Sequence, residues 1–113
     1  MDTSIYENKM EYPARPKKPI LSREHTSEDA ELYAASLKTW EKDMETYQES
    51  MKEYRAETNR LMREFKHDAL KNVGLLGHDK ADRIYNKAWE NGHSSGLHSV
   101  YEELCDLAEL FLD

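Results

Sequence analysis

A single cysteine, Cys105, stands in 113 residues, which excludes an internal disulfide framework and a cysteine-based zinc finger and fits a reducing compartment. Glycine and proline are scarce, at 4 and 3, too few for the turns an all-β sandwich needs every ~8–12 residues. No run approaches the roughly 18 apolar residues of a membrane span, and Met1–Met10 lacks the apolar core of a secretory signal. The apolar share is 38%, under the ~45–50% of an average globular domain, so a chain of this length builds only a thin core. Charge is plentiful instead: 23 acidic against 16 basic residues, a net of −7. That balance disfavours phosphate backbones and anionic lipid, so nucleic acid and membrane give way to protein as the partner class. The composition describes a small, soluble, acidic, cytoplasmic, all-α protein in which no cofactor site is readable.

The charge is unevenly spread. Residues 1–25 carry 5 basic and 4 acidic groups, residues 26–78 carry 8 and 11, and residues 79–113 carry 3 and 8. All three prolines fall in the first segment at a spacing of three, Pro13, Pro16 and Pro19. Each fixes φ and pushes its predecessor out of the helical region, so residues 1–25 read as an extended, polyproline-II-like arm. Pro13-Ala-Arg-Pro16-Lys-Lys18 satisfies a PxxPx[KR] ligand pattern. The plainer reading is an arm packed along a helix, anchored by Tyr6, Tyr12, Ile20 and Leu21.

From Thr26 the character changes. Thr26-Ser27-Glu28-Asp29 is a helix start, a hydroxyl followed by acids in the first turn. No glycine or proline then occurs until Gly74. With Ala30 as heptad position a, the a positions are Ala30, Leu37, Met44, Met51, Thr58 and Phe65. The d positions are Tyr33, Trp40, Tyr47, Tyr54 and Leu61, and the stripe fades at Asp68. Such a sustained 3,4 spacing predicts a coiled-coil helix over residues 26–73, about 69 Å long for 28–73 at 1.5 Å per residue. A break near Thr58-Asn59, giving a compact bundle, is the alternative.

Residues 74–113 read as a short two-helix hairpin. Asp79 is the expected cap of a helix carrying Ile84, Tyr85, Ala88 and Trp89, with Asn91-Gly92 as its left-handed stop. A last helix follows Gly96, with Leu97, Val100, Tyr101, Leu104, Leu107, Ala108 and Phe111 inward and Glu102, Glu103, Asp106 and Glu109 outward. Ser99-Val-Tyr-Glu102 offers a competing start as a capping box. Two helices of about 18 and 24 Å cover only part of a 69 Å seam, so the stripe from Tyr33 to Tyr54 is expected to lie uncovered on a monomer. An apolar patch of that size marks a partner surface. The expected interface is therefore Tyr33, Leu37, Trp40, Met44, Tyr47, Met51, Tyr54 and Leu61, used in a homodimer or with a partner helix.

Chemistry is thinly represented. Gly92-His-Ser94-Ser-Gly96 matches the G-x-S-x-G nucleophile elbow, but that motif needs a strand-to-helix turn above a parallel sheet. A helix–helix connection explains it better, and no catalytic residue is assigned. His78, His93, His98 and Cys105 are possible metal ligands, yet their spacing straddles a loop and a helix start, and no metal site is assigned. The outward acids read as a solvated face, with an acidic nucleic-acid mimic as a lesser alternative. Tyr85, Trp89, His93 and His98 cluster around the hairpin tip and form a candidate pocket for a small ligand or partner, or else core packing.

The arm Tyr12-Pro13-Ala-Arg-Pro16-Lys-Lys-Pro19, the long Tyr/Glu/Lys-rich helix and the stretch His78-Asp-Lys80 through Ala88-Trp89-Glu90-Asn-Gly92-His93-Ser94-Ser95-Gly96 resemble a group of small proteins of tailed bacteriophages. The resemblance covers most of the chain, and Ala-Trp-Glu-x-Gly-His-Ser-Ser-Gly is its most specific part. It implies expression in a bacterial host cytoplasm and brings no catalytic residues. Together these readings predict a non-enzymatic helical interaction protein, a coiled-coil oligomer that modulates a host protein.

Overall fold

Thr26 and Asp29 exchange hydrogen bonds: Asp29 N–H donates to Thr26 Oγ1 (3.2 Å) and Thr26 N–H donates to Asp29 Oδ2 (3.0 Å). This reciprocal box satisfies two donors that a helix start otherwise leaves open. The computed structural model, which describes residues 1–112, accordingly begins helix α1 at Ser27 and carries it unbroken to Asn72, with no break at Thr58. Its far end is a Schellman motif: Leu75 N–H donates to Leu70 O (2.9 Å) and Gly74 N–H to Lys71 O (3.2 Å). Gly74 takes the left-handed conformation (φ 79°) that this stop requires. Helices α2 (Ala81–Gly92) and α3 (Leu97–Leu112) follow, so the chain is all-α, a long helix and then a helical hairpin. Among the described residues no helix is long and apolar enough to cross a membrane.

The chain divides into two compact units, Lys9–Glu57 and Met1–Asn8 with Thr58–Asp113. In the first, the residues of α1 withdrawn from solvent are Ala30, Tyr33, Leu37, Trp40, Met44, Tyr47, Ser50, Met51, Tyr54 and Glu57. This is the heptad stripe with two additions. What covers it differs from the expectation of a bare seam. Within residues 11–20 only Pro13, Pro16 and Pro19 are half-buried, and all others are exposed. Burial at every third residue is the period of a polyproline-II helix lying with one edge against a support.

The support is the seam. Pro13 lines one cavity with Tyr47, and Pro19 lines another with Tyr33. Lys18 Nζ lies 5.5 Å from the Trp40 ring centre, and the Tyr12 and Tyr54 rings meet edge to face at 5.1 Å. The arm therefore runs antiparallel to α1. One polyproline turn advances about 9.3 Å and one heptad about 10.5 Å, a near match that leaves Pro13 beside Tyr47 and Pro19, two turns on, beside Tyr33, two heptads back. Of the expected anchors, Leu21 is half-buried and Tyr12 makes its ring contact, whereas Ile20 is 93% exposed and anchors nothing. Ile20 directly follows Pro19, and one residue on, a three-per-turn helix has rotated its side chain off the packed edge. The prolines of the PxxPx[KR] pattern face α1 and are not presented.

In the second unit Phe65, Ala69 and Leu70 of α1 join Leu75, Ala81, Tyr85, Ala88, Val100, Leu104 and Ala108 in one core, to which Tyr6 adds its ring. The hairpin joints differ from expectation in two places. Asp79 does not cap α2: the chain makes a turn first, with His78 N–H donating to Leu75 O (2.9 Å) across Gly77 (φ 81°), and the helix starts at Ala81. Gly92 is not a left-handed stop, since its φ is −120°. It is required for closeness instead: a Cβ there would stand 2.7 Å from Val100 N and 2.8 Å from Ser99 C. The left-handed position is Gly96 (φ 104°), and α3 starts directly after it at Leu97, as expected, rather than at the competing Ser99 box.

Candidate functional site

Residues 85, 89 and 93 recur at one helical turn, so α2 and the 3₁₀ turn at its end stack their side chains on one face. The Tyr85 and Trp89 ring centres are 6.3 Å apart at 29°, and Trp89 and His93 are 5.8 Å apart at 7°. Phe65 continues the ladder inward, 6.3 Å from Tyr85, and Tyr6 ends it, 5.4 Å from Phe65 and edge to face. His93 is fixed through Nδ1, which lies 2.8 Å from the Trp89 carbonyl oxygen. With that carbonyl as acceptor Nδ1 carries the proton, and Nε2 is the nitrogen left for an outside donor.

Beside the ladder lies a groove of about 430 Å³ lined by Asn59, Met62, Arg63, Lys66, Tyr85, Asn86 and Trp89. Its cation is placed: Lys66 Nζ is 5.3 Å from the Tyr85 ring centre and 2.8 Å from Asp82 Oδ1. The groove offers two aromatic faces, two carboxamides and two basic side chains, with no carboxylate among its lining residues. Of the four residues expected at this tip, Tyr85 and Trp89 line the groove, and His93 stacks on Trp89. His98 is not brought to them; its Nε2 lies 2.9 Å from Glu102 Oε1 one turn along α3. Asn59, Met62 and Lys66 escaped the sequence reading because they lie on α1, distant in the chain and off the heptad stripe.

The metal-ligand candidates are dispersed. His78 packs edge to face on Phe111 at 4.7 Å, His93 stacks on Trp89, His98 pairs with Glu102, and Cys105 neighbours the Tyr101 hydroxyl. Among the described residues no three His, Cys, Asp or Glu side chains gather to hold a metal ion. Ser94 lies exposed on the 3₁₀ turn between two helices rather than on a strand-to-helix elbow.

The faded heptad position has a partner of its own. Tyr6 Oη donates to Asp68 Oδ2 at 2.5 Å, so the carboxylate that interrupts the d stripe is the acceptor for the arm's one buried residue. Burial first, and the Asp68 carboxylate second, push the Tyr6 hydroxyl up to about 12; burial alone pushes Tyr85 to about 12. An unfolded tyrosine ionises near about 10. Between these values the unfolded chain has released protons that the folded one keeps. The stabilisation is therefore fully present below pH 10 and is lost as pH rises toward 12. Absorbance at 295 nm should show Tyr6 and Tyr85 ionising about two pH units after an unfolded reference, and the urea midpoint should fall across the same interval. Tyr6→Phe should remove one late proton; an unchanged late fraction would contradict the assignment.

In the other unit, the expected interface residues lie together on one stripe of α1. Met51 is buried, Tyr33, Leu37, Trp40, Met44, Tyr47 and Tyr54 are half-buried, and Leu61 is buried in the second unit. The Trp40 Nε1–H lies buried under the arm, with no hydrogen-bond partner among the described residues. The arm's contacts are individually weak, an edge-to-face ring pair at about 0.5–1.5 kcal/mol and an exposed cation–π contact at about 0.5–1.

No curated protein and no solved structure matches the chain. A family model does match, over residues 3–112, and so takes in the proline arm, the seam and the aromatic ladder alike. By that match the chain belongs to DUF8546, a family of unknown function.

Proposed function

We propose that this is a non-enzymatic, cytoplasmic protein-interaction protein whose working surface is the aromatic seam of α1, and that it acts as an oligomer. One observation carries the reading: a heptad stripe of aromatic and methionine side chains is covered by an arm that touches it through side chains and prolines. Residues 11–21 make no backbone–backbone hydrogen bond among the described residues. Here the cover is separable, and the seam is available to a competing occupant whenever the arm lifts. The resemblance to tailed-phage proteins supports a bacterial host protein as a further partner, with modulation of that protein as the biological role.

Sedimentation equilibrium of the intact chain tests this reading. A dimer is expected, and Trp40→Glu with Tyr47→Glu should abolish it while the Tyr6 and Tyr85 titration of the other unit stays in place. A monomer at every concentration would refute self-association.

A second reading has its own observation. The groove beside Trp89 joins two aromatic faces to Arg63 and Lys66, a combination that suits a small planar anion. Titrating a nucleoside monophosphate while following Trp89 fluorescence in a Trp40→Phe chain decides it; no change at millimolar ligand retires it.

A further inference from the structure

We propose that the seam is a polyproline-recognition surface and that its occupant in the dimer is the arm of a second copy, the two chains exchanging arms. This rests on the interaction reading above and specifies what that surface binds.

The recognition is periodic. Six residues of an ideal polyproline helix, the separation of Pro13 and Pro19, advance about 19 Å, and fourteen residues of α-helix, the separation of Tyr33 and Tyr47, about 21 Å. The two repeats stay in phase over the whole contact, so the seam reads proline at every third residue rather than a single side chain. Aromatic grooves suit such segments because the polyproline helix is already ordered and loses little entropy on docking. Charge points the same way. Residues 9–26 carry five basic and two acidic side chains, while residues 27–57 carry nine acidic and four basic ones. The occupant this surface selects is extended, basic and proline-spaced, and the chain itself supplies one.

The source is a second copy because the closed arrangement is built to open. The arm joins α1 through residues 22–26, all exposed, and the turn is closed by His25 Nδ1 at 2.8 Å from the Ser22 carbonyl oxygen. Opening that connector frees the arm to leave its own α1. Every arm contact can then be remade on another chain, since exchange reuses the same surfaces at little cost; Tyr6 travels with the arm and meets the same Phe65 and Asp68 there. Beside the connector, Ile20 and Leu32 are 93% and 68% exposed and line one cavity of about 280 Å³. In the closed chain nothing uses this apolar pair. In an exchanged dimer the two connectors lie next to each other, and the pair gains a cover.

The test uses the full chain with Cys105→Ser, Glu11→Cys and Glu53→Cys. Positions 11 and 53 are exposed residues that line one cavity beside the arm, so the aromatic contacts stay intact. The dimer fraction is treated with a short bis-maleimide and run on a denaturing gel. Covalent dimer as the main product supports exchange. Monomers linked within one chain would overturn it while leaving self-association in place, and the absence of any dimer would overturn both readings. As a second measurement, Ile20→Ser with Leu32→Ser should weaken dimerisation by about tenfold or more, from the apolar burial lost, without changing helix content. Unchanged association would remove the connector contact on which the choice of a second copy rests.

Discussion

Phe65→Ala should lower the stability of the unit containing Thr58–Asp113 by about 3–5 kcal/mol, the cost of emptying a large aromatic site in a closed core. Phe65 is fully buried and holds the Tyr6 ring on one side and the Tyr85 ring on the other. Neither neighbour can simply collapse into the space, because Tyr6 is tied to Asp68 and Tyr85 is part of the stacked ladder. The thermal midpoint should fall by more than about 10 °C. The tyrosine titration gives an independent readout: water admitted to the site should bring Tyr6 and Tyr85 back toward the ordinary range. A loss under about 1 kcal/mol, or late tyrosines that stay late, would show that Phe65 is not the joint between the arm and the hairpin.

Gly92→Ala should be the second largest effect, about 1–3 kcal/mol from overpacking. In most helices this exchange is favourable by roughly 0.5–1 kcal/mol, because alanine loses less backbone freedom than glycine. Here the sign reverses. The new methyl carbon would meet the Val100 nitrogen at 2.7 Å, Ser99 C at 2.8 Å and Ser99 O at 2.9 Å. These are backbone atoms in the first turn of α3, with Val100 N–H bonded to Gly96 O, so no side chain can turn aside. The end of α2 would have to move off α3, loosening Ala88 against Val100 and Leu104, all of which are now fully buried. Gly77→Ala is the control: its φ is 81° with nothing within 4 Å of a Cβ, so only the conformational cost of about 1–2 kcal/mol applies, without displacement of α3. Chemical denaturation with near-ultraviolet dichroism separates the two. Gly92→Ala should change the aromatic signal of the folded state, and Gly77→Ala should not.

These residues also show where local reading of the chain stops. The start and end of α1 follow from groups only a few positions apart, Thr26 with Asp29 and Leu70 with Leu75, so their chemistry is visible without a fold. The same holds for the heptad stripe, which repeats a single distance preference along one helix. Gly92 looks like a stop because glycine often is one, whereas its role depends on the backbone of α3 standing within 3 Å of where a Cβ would be. Asp68 looks like the end of the stripe, and its role depends on a tyrosine 62 positions earlier. Lys66 and Met62 carry no motif and join Trp89 only because α1 and α2 share a core.

The scarcity of turn residues, the proline spacing of three and the unbroken heptads were enough by themselves to determine an all-α chain with an extended arm, a long helix and a hairpin. Each of these is a local preference repeated along the backbone. An arm packed along a helix was also readable, but only the tertiary structure decided that the face it packs on is the heptad stripe itself. A seam that should lie open on length and composition is covered by the arm, because a polyproline turn and a heptad advance by nearly the same distance and the arm and the helix carry opposite charge. Matching two pitches is a relation between segments. It comes into existence only when the chain has folded back on itself.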